Sequence, residues 1–259
     1  MGGTRTAIVT GASSGIGAAT ALEMATRGWR IALGARRVAR LEEVAAKVEA
    51  HGGSASVHPL DVTEPSSIDA FLAHIDAELG PVDLLVNNAG ANRAARIEEA
   101  TDDELRDDVV LNLLGAMWMT RRLLPGMLSR RRGDVVFVGS DCAQRPRPYQ
   151  AAYGAAKAGL EAFARTLEME TEGSGVRSIL FRVGPTGSEF GGAMPKDRIP
   201  AILESWKYWG IVRSVHWMPA ESVAKAIVRT VETPVEESYP AVVEIQPGGR
   251  KRDRGAEET

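Results

Sequence analysis

Short apolar runs of β-type residues alternate with longer stretches of helical periodicity along most of this 259-residue chain. Strands that alternate with helices pair in parallel, and the crossover helices cover both faces of the sheet. The alternation therefore predicts a doubly wound α/β fold of the Rossmann type, with a parallel sheet of about seven strands. The strand-like runs are residues 6–10, 31–34, 55–58, 84–86, 135–139, 178–183 and 241–245, and the helix-like stretches are 15–27, 38–50, 66–79, 102–128, 151–169 and 222–231.

No linker, internal repeat or charged block divides the chain, so a single domain is expected over residues 1–249. Residues 184–219 interrupt the alternation and are rich in Gly, Pro and aromatic side chains. Long excursions of this kind on an α/β scaffold often cover a substrate site, so a substrate lid is predicted here, with an ordinary packed insertion as the alternative. Residues 250–259 are polar and are expected to form a flexible tail.

Charge balance and cysteine content exclude several classes of function. The 31 Lys and Arg residues against 34 Asp and Glu residues give a formal net charge of −3, so no positive field favours nucleic acid or an anionic membrane. The apolar stretch 109–119 is interrupted by Asn112 and is too short to span a membrane. One cysteine, Cys142, and four histidines without ligand spacing predict no metal site and fit the cytoplasm. A small-molecule ligand remains.

A turn with three glycines joins the first strand-like run to the first helix. Small residues let a backbone approach a pyrophosphate, and the N-terminus of the helix supplies free N–H groups and a positive dipole end. The turn therefore predicts a dinucleotide site. Its sequence is Thr10-Gly11-Ala12-Ser13-Ser14-Gly15-Ile16-Gly17, and the expected contacts are Gly11, Ser13, Ser14, Gly15, Ile16 and Gly17.

The residues after the second and third strands bear on which dinucleotide is bound. Arg36 and Arg37 follow the second strand, where NAD-binding folds often carry an acid for the ribose 2′-hydroxyl. Because a guanidinium can fork onto a 2′-phosphate, Arg36 above all favours NADP(H), with NAD(H) still possible; exposed arginines at a helix start are the alternative. Asp61, followed by Val62, either accepts from the adenine amino group or caps its turn.

Tyr153 and Lys157 are spaced to lie on one face of a helix, about 6 Å apart along its axis. An ammonium near a phenol favours the phenolate, so Lys157 is expected to lower the pKa of Tyr153. Alone, this spacing is more typical of an amphipathic helix with a surface lysine. It gains weight because Ser140 ends the preceding strand and Asn112 interrupts an apolar helix, where it either serves a water network or satisfies a local backbone break.

From residue 6 to about residue 245, these motifs resemble those of the short-chain dehydrogenase/reductases. The glycine turn is similar to the cofactor loop of that family, and Asn87-Asn88-Ala89-Gly90 is similar to its sheet-stabilising motif. By this resemblance, Asn88, Ala89 and Gly90 border the cofactor. Four residues have the order and spacing of the family's catalytic set, namely Asn112, Ser140, Tyr153 and Lys157.

The resemblance implies an NADP(H)-dependent oxidoreductase that transfers a hydride between nicotinamide and a carbonyl or secondary-alcohol substrate of apolar or amphipathic character. It implies that Tyr153 is the general acid and that Ser140 binds the substrate oxygen. It further implies that Lys157 binds the nicotinamide ribose and that Asn112 holds a relay water. Relatives usually pair through two long helices, here 102–128 and 151–169, so a homodimer or homotetramer is expected.

The segment after the sixth strand departs from the family pattern. It reads Val183-Gly184-Pro185-Thr186-Gly187-Ser188, with Val183 in place of the usual Pro and Ser188 in place of a Thr that contacts nicotinamide. Gly184 is expected to line the site, and either Thr186 or Ser188 meets the carboxamide.

Two alternative functions remain open from the sequence. An NAD-dependent alcohol dehydrogenase would differ in cofactor and direction, and Arg36 argues against it. A dinucleotide-binding regulator would keep the fold without the chemistry, and the intact catalytic set argues against it.

Overall fold

The computed structural model describes residues 4–187, 189, 194–211, 217–235 and 239–248. Within them, the main sheet has seven strands in the order β3-β2-β1-β4-β5-β6-β9, and every neighbouring pair is parallel. The predicted doubly wound parallel sheet is therefore confirmed. The strands are β1 Thr6–Thr10, β2 Arg30–Ala35, β3 Ser54–Pro59, β4 Leu84–Asn87, β5 Gly133–Ser140, β6 Val176–Val183, β7 Thr186–Gly187, β8 Met218–Pro219 and β9 Val242–Ile245.

Helices cover both faces of the sheet, as the alternation predicts. On one face α1, α2 and α8 bury side chains such as Met24 and Ile227; on the other α3, α5 and α6 bury Phe71 and Leu160. Full burial of one such side chain contributes about 1.5–3 kcal/mol. No helix among the described residues is both long and apolar enough to cross a membrane. The helices are α1 Gly15–Ala25, α2 Val38–Ala50, α3 Pro65–Leu79, α4 Asp102–Val109, α5 Gly115–Arg130, α6 Ala151–Glu170, α7 Ile199–Tyr208 and α8 Ala220–Glu232.

The strand order places a crevice at the carboxyl end of β1. β1 pairs with β2 on one side and with β4 on the other, so the chain changes direction across the sheet at this strand. The connections that follow β1 and β4 diverge there, and α/β folds bind ligands at such a point. The glycine turn, the Asn88 loop and the end of β5 at Ser140 all lie at this edge.

The stretch predicted as one helix over residues 102–128 contains a π-helical turn. α4 begins at a capping box in which Thr101 and Glu104 exchange hydrogen bonds, and it ends at Val109. Val110–Leu114 form the π turn, and α5 starts at Gly115. The prediction of one regular helix was wrong in the middle of this stretch. A π turn widens the backbone and leaves a carbonyl that another group must satisfy.

Residues 184–219 contain more regular structure than the sequence indicated. β7 pairs with β8 in a small parallel sheet that joins Thr186 to Met218, and α7 lies between these strands in sequence. α7 carries Pro200 in its first turn, a position that proline favours, and it buries Ile202. The predicted tail at 250–259 lies outside the described residues, and the extent of a single domain stays a prediction.

Candidate active site

The glycine turn lies so close to its neighbours that a side chain would not fit at Gly11 or Gly17. Gly11 has φ +65°, and a Cβ there would lie 2.8 Å from Ala89 Cα. A Cβ on Gly17 would lie 2.5 Å from the carbonyl oxygen of Gly11. Gly15 has φ +54°, a conformation that glycine adopts without strain. The turn therefore packs directly on the loop that follows β4 and contains Asn88, here called the β4 loop, and on its own helix. It presents backbone to the cavity.

The N-terminus of α1 is open to an anionic ligand. Ser14 is the N-cap residue with extended backbone, and its side chain makes no capping hydrogen bond. The first N–H groups of a helix without a side-chain cap and the positive end of its dipole attract phosphate. Ser13, Ser14, Gly15 and Ile16 line the cavity at this end, so the structure supplies the cradle that a pyrophosphate needs.

Asn88 and Thr10 tie the ends of β1 and β4 together. Asn88 Nδ2 donates to the carbonyl oxygens of Thr10 and Gly11, at 2.9 and 3.3 Å. Thr10 Oγ1 accepts from the backbone N–H groups of Asn88 and Ala89, both at 3.0 Å. The motif at residues 87–90, which resembles a sheet-stabilising element, thus holds the glycine turn against the neighbouring strand.

Arg37, like Arg36, lines the end of the cavity that borders the glycine turn, here called the dinucleotide end. The Arg36 side chain is 69% exposed, and its guanidinium lies 4.0 Å from the Asp61 carboxylate. Arg37 donates to Ser13 Oγ and Ser14 Oγ, at 3.0 and 2.9 Å. The sequence pattern favoured Arg36, because a position after β2 does not reveal which guanidinium turns toward the glycine turn.

Glu189 is a residue of this end that sequence reasoning missed. Its carboxylate pairs with Arg37 at 2.9 Å and with Arg40 at 3.4 Å. Glu189 lies 152 residues from Arg37, after β7, so no local pattern could have indicated the contact. Asp61, for its part, accepts from the backbone N–H and the hydroxyl of Thr63 and so caps its own turn.

Ser140, Tyr153 and Lys157 meet at the end of β5. Ser140 ends that strand, and Tyr153 and Lys157 lie in the first two turns of α6, on its buried face. The Cys142 N–H donates to Ser140 Oγ at 3.3 Å, and Lys157 Nζ donates to the carbonyl oxygen of Val138 at 2.9 Å. The three side chains border one cavity, as the sequence predicts.

Burial dominates the acid–base properties of this group. Tyr153 is only 6% exposed, and burial raises the pKa of its hydroxyl above the ordinary value, against the hydrogen bond with Ser140 that lowers it. Lys157 is 4% exposed, and burial lowers its pKa to about 8. The expected lowering of the Tyr153 pKa is therefore wrong for this structure. Desolvation of the phenolate outweighs the ammonium, which lies 5.8 Å from the centre of the Tyr153 ring.

Asn112 lies in the π turn and satisfies the broken backbone. Its Nδ2 donates to the carbonyl oxygens of Asp108 and Ala91, at 2.9 and 2.8 Å, and its Oδ1 accepts from the Ala91 N–H at 3.3 Å. Of the two roles that the sequence left open, the structure shows the backbone role. A Cβ on Gly90 would lie 2.7 Å from Asn112 Oδ1, so the π turn and the β4 loop fit together only with glycine there.

A buried ion pair that no local sequence pattern indicates borders the site next to Ser140. Arg147 Nη2 lies 2.6 Å from Asp141 Oδ2, and both side chains are almost fully buried. The Arg147 guanidinium lies 5.7 Å from the centre of the Trp206 ring, and Trp206 Nε1 donates to the carbonyl oxygen of Pro148. This connects α7 to the loop before α6. Tyr149 in that loop has φ +68°, which is uncommon for a residue with a side chain.

One cavity of about 1470 Å³ is bordered by the glycine turn, the loop after β4, the end of β5 and the buried face of α6. Of the predicted site residues, Gly17 and Asn112 do not line it, and Ser188 lies outside the described residues. Trp206 and Trp217 line it, whereas Tyr208 and Trp209 are exposed. The predicted site residues that line it are Gly11, Ser13, Ser14, Gly15, Ile16, Arg36, Arg37, Asp61, Val62, Asn88, Ala89, Gly90, Ser140, Tyr153, Lys157, Gly184 and Thr186.

Comparison with known proteins places the chain in a family. A family model described as short chain dehydrogenase matches residues 5–198. A short chain dehydrogenase of Pseudocercospora fijiensis is 39% identical over 197 residues, which are 75% of this chain and 63% of that protein, so the chain spans less than two thirds of this relative. The 2,3-dihydro-2,3-dihydroxybenzoate dehydrogenase of Bacillus subtilis is 33% identical over 207 residues, 78% of this chain and 79% of that protein.

Solved structures agree with this placement. An alcohol dehydrogenase from Thermococcus sibiricus, complexed with 5-hydroxy-NADP, matches with a TM-score of 0.81 at 27% identity, over 96% of this chain and 99% of that one. The fold and the cavity thus define a Rossmann-type α/β protein with a candidate nucleotide-binding site. The chain belongs to the short chain dehydrogenase family.

Proposed function

We propose that this protein is an NADP(H)-dependent oxidoreductase that transfers a hydride between nicotinamide and a carbonyl or secondary-alcohol substrate. The observation that carries the proposal is the single cavity that joins an anion cradle at α1 to the hydroxyl groups of Ser140 and Tyr153. Such a cavity holds a dinucleotide at one end and a reacting carbonyl at the other.

Different residues of the chain bind different parts of NADP(H). The N-terminus of α1 faces the pyrophosphate, and Arg36 and Arg37 face the 2′-phosphate. Lys157 holds the nicotinamide ribose, and Thr186 or Ser188 meets the carboxamide. When bound, the cofactor supplies the hydride.

Tyr153 provides the proton. Burial raises the pKa of its hydroxyl, so the proton is present at neutral pH and available to a carbonyl oxygen that becomes an alkoxide. In reduction the Tyr153 proton moves to that oxygen as the hydride adds to carbon, and Ser140 donates a hydrogen bond to the same oxygen. A water that resupplies the proton is proposed beside Asn112, with Oδ1 as the side-chain atom that can still bind it, because both amide hydrogens are donated to Ala91 and Asp108.

The substrate is proposed to be apolar or amphipathic, with residues 184–219 as its lid. Apolar side chains from this segment line the cavity, among them Leu203, Trp206 and Trp217. Arg147 adds one polar group beside Ser140. A hydrophobic body with a polar end near the carbonyl fits these surroundings.

An NAD-dependent alcohol dehydrogenase is the second candidate, and one observation favours it. Both arginines at the dinucleotide end already face a carboxylate, Arg36 that of Asp61 and Arg37 that of Glu189. Paired guanidinium groups attract a 2′-phosphate less strongly than free ones.

Titration with NADPH and NADH at matched salt, followed by nicotinamide fluorescence, separates these candidates. Tighter binding of NADPH that is lost in Arg36→Ala or Arg37→Ala supports the NADP(H) enzyme. Equal or tighter binding of NADH in the unmodified protein supports the NAD-dependent dehydrogenase instead.

A carbonyl screen with Tyr153→Phe tests the chemistry. Turnover is expected to fall about 10²- to 10⁴-fold, because the proton donor is lost, while the Kd for the cofactor changes little. Tyr208→Phe is the matched control, since that hydroxyl lies on an exposed side chain of α7. Unchanged turnover in Tyr153→Phe would contradict the role of Tyr153, and absence of turnover in the unmodified protein across the screen would favour a dinucleotide-binding regulator instead.

Assembly and location are also proposed. α5 and α6 carry half-buried apolar side chains, among them Trp118 and Phe163, which fit a homodimer or homotetramer contact. Light scattering in solution tests this, because a monomeric mass excludes it. With Cys142 as its one cysteine, the protein is proposed to act in the cytoplasm.

A further inference from the structure

Four of the five N–H groups of the Arg37 guanidinium have an acceptor at the dinucleotide end of the cavity. Its Nε and Nη2 point to Ser13 Oγ, at 3.3 and 3.0 Å, and Nη2 also donates to Ser14 Oγ at 2.9 Å. The remaining Nη1 donates to Glu189 Oε2 at 2.9 Å. Each nitrogen of this side chain therefore has an acceptor and one N–H of Nη1 is left, so a phosphate can form two parallel hydrogen bonds with Arg37 only by replacing one of these acceptors.

Glu189 is the acceptor that a phosphate would replace. The Ser13 and Ser14 hydroxyls belong to the glycine turn and are neutral, whereas the Glu189 carboxylate carries the charge that a phosphate would duplicate. The neighbouring Arg37 and then Arg40 hold the pKa of that carboxyl below its ordinary value, so Glu189 is ionised at neutral pH.

We propose that Glu189 and the 2′-phosphate of NADP(H) compete for Arg37, so that Glu189 sets how strongly the site discriminates NADP(H) from NAD(H). The inference rests on the proposed function, because it concerns the same dinucleotide site. The inference adds to the proposed function that Glu189, which follows β7, weakens the attraction between the arginines and the phosphate.

The opposing charges at this end make the competition specific for the phosphate. Arg36, Arg37 and Arg40 face the carboxylates of Asp61 and Glu189, and Glu43 also pairs with Arg40, at 3.1 Å. NADH brings no charge to the ribose 2′ position, so Glu189 has little effect on its binding. NADPH brings a phosphate to that position, so it must share or displace the Glu189 contact.

The test compares the Kd values of NADPH and NADH for the unmodified protein, for Glu189→Gln and for the control Glu43→Gln. Glu43 also neutralises Arg40 but does not line the cavity, so its replacement removes the same charge from the same exposed surface. In Glu189→Gln, NADPH is expected to bind about three- to tenfold tighter, with NADH unchanged within about twofold. Glu43→Gln is expected to leave both Kd values unchanged.

A second arm shows whether the effect passes through Arg37. In an Arg37→Ala background, Glu189→Gln is expected to lose most of its effect on the Kd for NADPH, because the contested guanidinium is gone. Calorimetry with 2′,5′-ADP and 5′-AMP repeats the comparison without the nicotinamide end. The 2′-phosphorylated nucleotide alone should respond to Glu189→Gln.

The outcomes separate this inference from the proposed function. If NADPH binds the unmodified protein and Glu189→Gln weakens that binding, leaves it unchanged, or tightens NADPH and NADH equally, competition for Arg37 is wrong. An equal effect in Glu43→Gln would also overturn it, because it would reduce the finding to surface charge. If neither dinucleotide binds the unmodified protein, the proposed function itself fails and the inference fails with it.

Discussion

At the scale of single residues, burial decides how the two titratable groups of the site behave. Tyr153 and Lys157 are both nearly inaccessible to solvent, so each charged form is penalised, and the phenol pKa rises while the ammonium pKa falls. The protein thus holds a protonated acid at neutral pH beside a lysine that loses its proton near pH 8. Burial of a titratable side chain also lowers the free energy of unfolding by an amount that depends on pH.

Lys157→Met tests that cost. The folded pKa of about 8 lies below the ordinary value of 10.5, so between these pH values the unfolded chain binds a proton that the native state does not. The contribution of Lys157 to the free energy of unfolding therefore rises with pH in this window, and its burial penalty is fully present below pH 8. At pH 7 we expect Lys157→Met to be more stable by about 2 kcal/mol, with the difference shrinking toward pH 9.5.

Urea unfolding of both proteins at pH 7, 8 and 9.5 measures this difference. The comparison cancels groups that titrate alike in the two proteins. A difference that stays constant with pH would show that the lysine keeps an ordinary pKa in the folded state.

At the scale of secondary-structure elements, the π turn between α4 and α5 joins the helix layer to the sheet edge. Asn112 in this turn holds the Asp108 carbonyl that the turn releases, and it clasps the backbone of Ala91 after β4. Gly90 lets the two elements approach, because any Cβ would meet the Asn112 amide. The π turn and the β4 loop are therefore packed directly against each other.

Gly90→Ala should disturb this unit. Its Cβ would lie 2.7 Å from Asn112 Oδ1, and the amide cannot turn away without breaking its own hydrogen bonds. We expect the free energy of unfolding to fall by about 1–3 kcal/mol, as in other overpacked sites.

Gly126→Ala in α5 is the matched control for thermal or urea unfolding. Its Cβ meets only the mobile end of Arg130, so removal of a helix-interior glycine should stabilise by about 0.5–1 kcal/mol. Equal effects of the two substitutions would show that the contact between the β4 loop and Asn112 is looser than described.

At the scale of the whole molecule, a buried ion pair links the sheet to the helix layer opposite the π turn. Arg177 on β6 pairs with Asp134, its register partner on β5, and also donates to the carbonyl oxygens of Val231 and Thr233 at the end of α8. Burial raises the pKa of Asp134, so removal of the cation would leave an expensive charge in the interior.

Arg177→Met is therefore expected to lower the free energy of unfolding by about 3–5 kcal/mol. The double variant Arg177→Met/Asp134→Leu should recover most of that loss, since no unpaired charge remains. Arg106→Met, which breaks an exposed pair with Asp103, should change stability by less than about 1 kcal/mol. Calorimetric melting of the three proteins is the measurement, and a loss in Arg177→Met no larger than in Arg106→Met would contradict the expectation.

Local patterns in the sequence predict the fold class and the set of residues at the carboxyl edge of the sheet. Alternating strand and helix periods, the glycine turn, and the spacing of Tyr153 and Lys157 are local patterns, and parallel strands bring their carboxyl ends to one edge whatever the details. That is why nearly all predicted site residues that the structure describes line one cavity.

The charge states, ion pairs and supporting contacts of these residues depend on the three-dimensional packing of the chain. Arg37 meets Glu189 across 152 positions, and Asp141 meets Arg147 beneath a tryptophan from α7. The direction of the Tyr153 pKa shift depends on burial, and the π turn depends on what Asn112 can reach. Desolvation, ion pairing and close packing depend on distances through space between residues far apart in the chain, and local periodicity carries no information about those distances.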